Sequence, residues 1–206
     1  MQIQRWPLFL AAVVLIASAS GASADARELF NGKDLTGWVL MHGGEWTVEE
    51  GVLVGRNGTN WTTNPELSGS WLRTEKEYGD FVLELEYAIN SKGNSGVHFR
   101  SALTKNPSFT GYEMQILDDA GNEPRKSSTG ALYDVVAPTR NMSKPAGQWN
   151  QVRITCKGNH IQVNLNGVDI VDLANADRAT RGFIGLQNHD ARCVVKYRNV
   201  RVTELK

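Results

Sequence analysis

Apolar and polar residues alternate with a period of two between Val152 and Val171, and this alternation constrains the fold more than any other feature of the chain. Such alternation is typical of a β-strand that buries one face. Two turn signals interrupt it, Gly158-Asn159 and Asn166-Gly167. Asn-Gly favours a two-residue hairpin because both central residues of a type I′ turn need positive φ. The segment therefore predicts a three-stranded antiparallel meander.

The rest of the chain carries strand signals and almost no helix signal. A hairpin is predicted around the Glu-Glu-Gly turn at 49–51, and further strands are predicted over 81–89, 183–188 and 193–205. About a dozen short strands without intervening helices must stack as two antiparallel sheets or close as a barrel. We expect an all-β, two-sheet sandwich.

The first 24 residues are predicted to be an export signal. Arg5 precedes an apolar run from Leu8 to Ala17, and Ala22-Ser23-Ala24 supplies the small residues of a signal peptidase site. The run is too short for a helix that spans a membrane. The alternative to a cleaved signal is an uncleaved membrane anchor. Residues 25–206 then form a single domain that is exported to the periplasm or the medium, without membrane association after cleavage.

The charge balance argues against nucleic acid or an anionic membrane as a partner. The chain has 22 Lys and Arg against 22 Asp and Glu, with no basic cluster. An uncharged, hydroxyl-rich partner such as an oligosaccharide or glycoside fits this balance. Cys156 and Cys193 lie in predicted strands and lack the clustered spacing of a zinc site. Whether they are buried thiols or a disulfide stays open.

Two neighbouring segments, 94–100 and 111–118, carry polar residues on predicted strands. Period-two geometry sends alternate side chains of each strand to the same face. If the two strands pair, one patch collects a base, a fixed cation and two further hydrogen-bonding groups, which are His98, Arg100, Glu113 and Gln115. The alternative is a solvated sheet face with an ordinary Arg–Glu cross-strand pair.

Other polar residues stand at the ends of predicted strands. Gln187 and His189 follow an apolar strand, and Tyr133 lies in a Gly-Ala-Leu-Tyr-Asp segment where a structural aromatic is the alternative. Asp118 either opens a turn or contributes to a site for a hard divalent cation, although only scattered oxygen ligands accompany it.

Glu84 and Glu86 alternate with apolar residues on another predicted strand. Two carboxylates on one face resemble the pair of a retaining glycosidase, whose carboxyl groups are about 5–5.5 Å apart. The segment lacks the further acids of β-sandwich glucanases, so a solvated sheet edge is favoured.

Eight short blocks between Glu28 and Leu205 resemble, in the same order, the 3-keto-disaccharide hydrolase domain family. The blocks are LFNGKDLTGW (29–38), YGDF (78–81), NSGVHFR (94–100), GYEMQILD (111–118), GALY (130–133), QWN (148–150), LNG (165–167) and GLQ (185–187). The resemblance implies a concanavalin A-like jelly-roll sandwich. It also implies a substrate that a sugar 3-dehydrogenase has oxidised at C3. Because many proteins of this fold only bind sugars, a non-catalytic carbohydrate-binding module is the alternative.

A ketone at C3 acidifies the C2 hydrogen, so a base can remove it and the C1 substituent can leave by elimination or, after water addition, net hydrolysis. We expect Glu113 or His189 as the base. Arg100, helped by His98 or a metal ion, is expected to stabilise the enolate. The residues expected to orient sugar hydroxyls are Asn94, Gln115, Tyr133 and Gln187. No cofactor beyond a divalent metal is suggested.

Overall fold

A computed structural model describes residues 25–59 and 69–206, so the predicted export signal lies outside the described residues. It contains one short helix, α1 (Pro107–Thr110), and none of the described segments forms a helix long and apolar enough to cross a membrane. The strands are β1 (Arg27–Glu28), β2 (Trp38–Met41), β3 (Glu45–Glu49), β4 (Val52–Arg56), β5 (Trp71–Tyr78), β6 (Phe81–Ile89), β7 (Asn94–Ser101), β8 (Tyr112–Leu117), β9 (Asn150–Lys157), β10 (His160–Leu165), β11 (Val168–Leu173), β12 (Gly182–Gln187) and β13 (Val195–Glu204).

These strands form two antiparallel sheets, which confirms the predicted sandwich. The eight-stranded sheet has the order β11-β10-β9-β6-β13-β4-β3, with β1 also paired to β13. The five-stranded sheet has the order β2-β5-β12-β7-β8. The predicted meander is β9-β10-β11, and its Asn166-Gly167 turn has positive φ at both residues, 53° and 85°. The predicted pairing of 94–100 with 111–118 is the β7–β8 ladder.

Aromatic and aliphatic side chains from both sheets fill the space between them. Phe99 of β7 stacks on Tyr112 of β8, with ring centroids 5.7 Å apart, and meets Phe81 of β6 edge-on at 6.4 Å. Because β7 and β8 bury every second residue in this core, the residues between are directed to the outer face of the five-stranded sheet. The core thereby decides which polar side chains share that face.

A β-bulge interrupts the alternation in β7. His98 pairs with Gly185 and Ser101 pairs with Phe183, so two residues of β7 lie opposite the single Ile184 of β12. The second of these residues, Arg100, has a φ of 54°. A bulge of this kind places consecutive side chains on the same side of the strand. Arg100 is therefore directed inward with Phe99, and not outward with His98 as the sequence pattern predicts.

Cys156 and Cys193 are both buried as free thiols, which answers the question that the sequence leaves open. Burial raises the pKa of Cys156 to about 12 and that of Cys193 to about 11. Both thiols are therefore protonated at neutral pH and serve as small apolar groups of the core.

The Asn166-Gly167 turn allows the free-energy cost of a left-handed backbone conformation to be measured without a steric clash. A Cβ added to Gly167 would have no neighbour within 4 Å, so Gly167→Ala should lower the free energy of unfolding by about 1–2 kcal/mol through the left-handed conformation alone. Urea denaturation measures this change. Gly79→Ala is the control, because Gly79 has ordinary φ and room for a methyl group. Equal stabilities of the two variants would contradict the interpretation.

Candidate active site

A pocket of about 150 Å³ lies on the outer face of the five-stranded sheet, where β7, β8 and β12 run side by side. Sheet residues form one part of its wall, and the segment around α1 forms another. Its lining residues are Asn94, Asn106, Ser108, Phe109, Glu113, Gln115, Tyr133, Gln187 and His189. Six of them belong to the site predicted from sequence, so the structure brings most of that site together.

Among the described residues, Glu113 is the one acidic side chain of this lining, and its carboxyl group is buried. Burial raises its pKa to about 7, and a side-chain hydrogen bond with Ser108 opposes that rise. Its Oε1 atom has no hydrogen-bond partner among the described residues. A carboxyl group with a pKa near neutrality and one free oxygen is suited to accept a proton from a bound molecule.

Gly96 of β7 provides the space that the Glu113 carboxyl occupies. A Cβ built on Gly96 would lie 2.0 Å from Glu113 Oε1, far inside any real contact distance. The glycine is diagonal to Glu113 in the ladder, since Gly96 pairs with Gln115 and His98 pairs with Glu113. The carboxyl group therefore lies flat across the sheet where a side chain is missing.

The α1 segment, which the sequence analysis missed, contributes Asn106, Ser108 and Phe109. Asn106 caps the helix, because its Oδ1 accepts a hydrogen bond 2.9 Å long from the backbone N–H of Ser108, and Pro107 occupies the first helical position. Asn followed by Pro is a known helix start signal, so the sequence did contain this information. The cap fixes Ser108 beside Glu113.

His189 follows β12 and is oriented by its neighbour in the sequence. Its Nδ1 lies 3.1 Å from Asp190 Oδ2, and its side chain is about one quarter exposed. Burial alone would raise the pKa of Asp190, but hydrogen bonds from Arg192 and His189 hold it below its ordinary value. The ionised Asp190 favours a proton on Nδ1 of His189. The other ring nitrogen, Nε2, is then available to exchange a proton with a bound ligand.

The remaining predicted binding residues surround Glu113 with neutral hydrogen-bonding groups. Gln115 Nε2 lies 3.5 Å from Asn94 Oδ1, a long contact that leaves both amides available for a ligand. Gln187 is buried, and its Oε1 has no hydrogen-bond partner among the described residues. Tyr133 donates its backbone N–H to the Glu113 carbonyl at 2.9 Å and contributes its side chain to the wall.

His98 does not line this pocket, in contrast to the prediction. Its side chain is fully buried and edge-on to Trp71, with ring centroids 5.5 Å apart. Burial lowers its pKa to about 3, so the imidazole is neutral at physiological pH. It therefore supplies no positive charge for an anionic intermediate.

The prediction that Arg100 shares a cavity with Glu113 is wrong. The bulge in β7 directs its side chain to turns of the sandwich, and the side chain is fully buried. Its guanidinium donates to the Gly79 carbonyl at 3.0 Å, the Gly158 carbonyl at 2.8 Å and Asp80 Oδ1 at 3.0 Å. Arg100 thus fixes the β5–β6 and β9–β10 turns.

Asp118 is exposed and accepts a hydrogen bond from the backbone N–H of Lys92 at 3.0 Å, which is a turn contact. Within 25–59 and 69–206, no group of three or more His, Cys, Asp or Glu side chains is placed to hold a metal ion. The described residues thus provide no recognisable ligand set for a divalent cation.

Glu84 and Glu86 lie on the other sheet and are paired with arginines. Arg201 Nε donates to Glu84 Oε2 at 3.0 Å, and Arg198 Nε donates to Glu86 Oε2 at 2.8 Å. Hydrogen bonds from Arg198 and Asn199 lower the pKa of Glu86 against the opposing effect of its partial burial. Both carboxyl groups are thus bound in ion pairs with arginines on the same sheet, which favours the solvated sheet face.

Arg100→Ala should destabilise the fold and leave the chemistry of the pocket intact. The variant loses three hydrogen bonds of a buried guanidinium, so we expect the free energy of unfolding to fall by at least about 2 kcal/mol in urea. Turnover per folded molecule should stay within about threefold of wild type. Arg201→Ala is the control, since its half-exposed ion pair contributes at most about 1 kcal/mol. A stable Arg100 variant with a hundredfold loss of turnover would contradict this placement.

Gly96→Ala should have the opposite effects, with stability retained and turnover lost. The methyl group would displace the flexible end of Glu113, so the protein should fold with nearly normal stability while turnover falls by about a hundredfold or more. Circular dichroism and turnover measured on the same sample separate the two effects. Normal turnover in the folded variant would show that the carboxyl position does not matter.

Comparison with known proteins agrees with this geometry. Residues 25–203 match the 3-keto-alpha-glucoside-1,2-lyase-like domain family. A 3-keto-disaccharide hydrolase of Bacteroides thetaiotaomicron is 25% identical, over 86% of this chain and 77% of its own length. A candidate glycosyl hydrolase of Parabacteroides distasonis has a similar solved structure, with 28% identity, a TM-score of 0.72 and coverage of 88% of this chain and 94% of that chain.

More distant similarity concerns the fold alone. The carbohydrate-binding module CBM66 of Bacillus subtilis aligns with a TM-score of 0.59 at 17% identity, covering 82% of this chain and 96% of its own. This agrees with the jelly-roll sandwich expected from the sequence. The match over nearly the whole described chain establishes that the protein belongs to the 3-keto-alpha-glucoside-1,2-lyase-like domain family.

Proposed function

We propose that this protein cleaves the glycosidic bond of 3-keto-glycosides or 3-keto-disaccharides, with Glu113 as the base that removes the C2 proton. The observation that carries the proposal is the buried Glu113 carboxyl, with a pKa raised to about 7, an oxygen without a hydrogen-bond partner among the described residues, and side-chain amides beside it in the pocket. The names of the relatives from Bacteroides and Parabacteroides support the same class of reaction.

The reaction begins when the Glu113 carboxylate takes the C2 proton and the C2–H electron pair moves towards the C3 carbonyl oxygen, giving an enolate. The amide N–H groups of Gln115 and Gln187 are the proposed donors to that oxygen. Arg100 is removed from this role because its guanidinium is bound elsewhere. Preorganised neutral donors in a site that excludes water can stabilise such an anion.

In the second step the enolate re-forms the C3 carbonyl, a C1–C2 double bond forms, and the C1–O bond breaks. His189, held by Asp190, is the proposed acid that gives a proton to the departing oxygen. Addition of water across the C1–C2 bond, with hydroxyl at C1 and hydrogen at C2, then completes net hydrolysis. Release before this addition gives the lyase outcome.

We also propose that the substrate is supplied by a sugar 3-dehydrogenase, because the mechanism needs a ketone at C3. Export of the chain after cleavage near Asp25 is part of the same proposal, and it places the reaction in the periplasm or the medium.

The decisive experiment compares 3-keto-trehalose and a 3-keto-glucoside with the unoxidised parent sugars. We expect wild type to release sugar or an unsaturated ketone from the oxidised substrates only. A binding module would bind both forms and release nothing, whereas a glucanase would cleave unmodified β-glucan. Either of these results would overturn the proposal.

Glu113→Gln should abolish exchange of the C2 hydrogen with deuterated solvent. The rate of C2 hydrogen exchange with wild type should rise with pH through a midpoint near 7, because only the ionised carboxyl accepts the proton. Nuclear magnetic resonance of the substrate measures the exchange. Glu84→Gln, on the other sheet, is the matched control and should behave like wild type. Native exchange in a folded Glu113→Gln protein would transfer the role of base to His189.

A further inference from the structure

The pocket that holds Glu113 is too small for the whole substrate of the proposed reaction. Its volume is about 150 Å³, whereas pockets that enclose a drug-sized molecule are roughly 300–1,000 Å³. At this volume we assign one sugar ring to the space beside Glu113, and a ring attached through C1 then lies at the rim. The rim is therefore where the leaving group is recognised.

Phe109 stands at that rim with an exposed aromatic ring. The side chain lines the pocket and is 49% exposed. Tyr133, also in the wall, meets it at an angle of 64°, with ring centroids 6.0 Å apart. Single exposed apolar side chains are common on protein surfaces. Phe109 differs from such residues because its ring lines the same pocket as the buried Glu113 carboxyl.

The ring of Phe109 is held by contacts that do not bury it. Arg178 Nη1 donates to the carbonyl groups of Ser108 at 2.7 Å and Gly111 at 3.1 Å, which fixes the backbone on both sides of Phe109. The Arg178 guanidinium lies 5.8 Å from the Phe109 ring centroid. The Ser101 hydroxyl donates to the Pro107 carbonyl at 2.9 Å and ties the start of α1 to β7. A rigid exposed ring loses little entropy when a ligand covers it.

We propose that Phe109 forms a leaving-group subsite, which stacks on the apolar face of a ring attached at C1 of the sugar. The ligand chemistry is a flat apolar ring face, from an aromatic aglycone or from a second pyranose. The inference rests on the proposed function for the identity of the inner ring, and it adds a preference for ring-bearing over small alkyl leaving groups. Arg178 is a positioning residue for this subsite.

Binding of unoxidised glucosides tests the subsite without any chemical step. The probes are methyl glucoside, phenyl glucoside and a glucosyl-glucose disaccharide of the same anomeric configuration, titrated into the full mature protein by calorimetry. The phenyl or disaccharide probe should bind about fivefold or more tightly than the methyl probe, as expected for one aromatic stacking contact. Phe109→Ala should abolish that ratio, because the stacking contact is lost for the ring-bearing probes only.

Two variants keep the test specific. Phe109→Trp retains a ring and should retain the ratio, whereas Leu103→Ala removes an exposed side chain that does not line the pocket and should change nothing. Equal binding of all three probes, no binding of any, or a ratio that persists in Phe109→Ala would overturn the subsite. Turnover of methyl 3-keto-glucoside, whose leaving group has no ring, tests the proposed function separately.

Discussion

The free energy of burying one carboxyl group that has no ion-pair partner among the described residues is the quantity on which this site depends. Glu113 lies on the outer face of a sheet, with side-chain amides around it and a pKa raised to about 7 by burial. Each pKa unit corresponds to about 1.4 kcal/mol, so ionising this group in the folded protein costs about 3–4 kcal/mol more than in the unfolded chain. The interleaved core must offset that cost, and the same core fixes the direction of the side chain. Met114 and Tyr112 are buried between the sheets, so Glu113 between them can point only outward.

The parts of the fold that follow from local periodicity could be predicted from the sequence. The β9-β10-β11 meander, its Asn166-Gly167 turn and the β7–β8 pairing each depend on alternation and turn chemistry within a short segment. The face shared by Glu113 and Gln115 was predicted for the same reason. The site could be predicted where strands are regular.

The departures arise where contacts between distant segments decide the local structure. Arg100 was predicted to face outward with His98, but the bulge is set by the pairing of β7 with β12, more than eighty residues later in the chain. No local pattern reveals such a register. The α1 segment was missed for a different reason. A helix of four residues makes only about one turn, so its hydrophobic pattern does not repeat, although Asn106-Pro107 marks its start. His98 was assigned to the correct face, but its complete burial depends on packing that alternation does not describe.

The bulge in β7 and the proposed base, Glu113, are connected through electrostatics. A guanidinium within about 4–6 Å of a carboxylate lowers its pKa by about 1–3 units, which would make Glu113 an ordinary acid that is ionised well below neutral pH and a weak base. By turning Arg100 inward to Asp80, the bulge keeps that cation bound to the turns. The folded-state pKa of Glu113 therefore stays above the unfolded value. Its cost to stability is absent at low pH, where both states are protonated, and grows as pH rises towards 7, where the unfolded chain ionises first. Ionisation of Glu113 thus lowers the stability of the fold at the pH where the carboxylate is available, which agrees with its proposed role as a base.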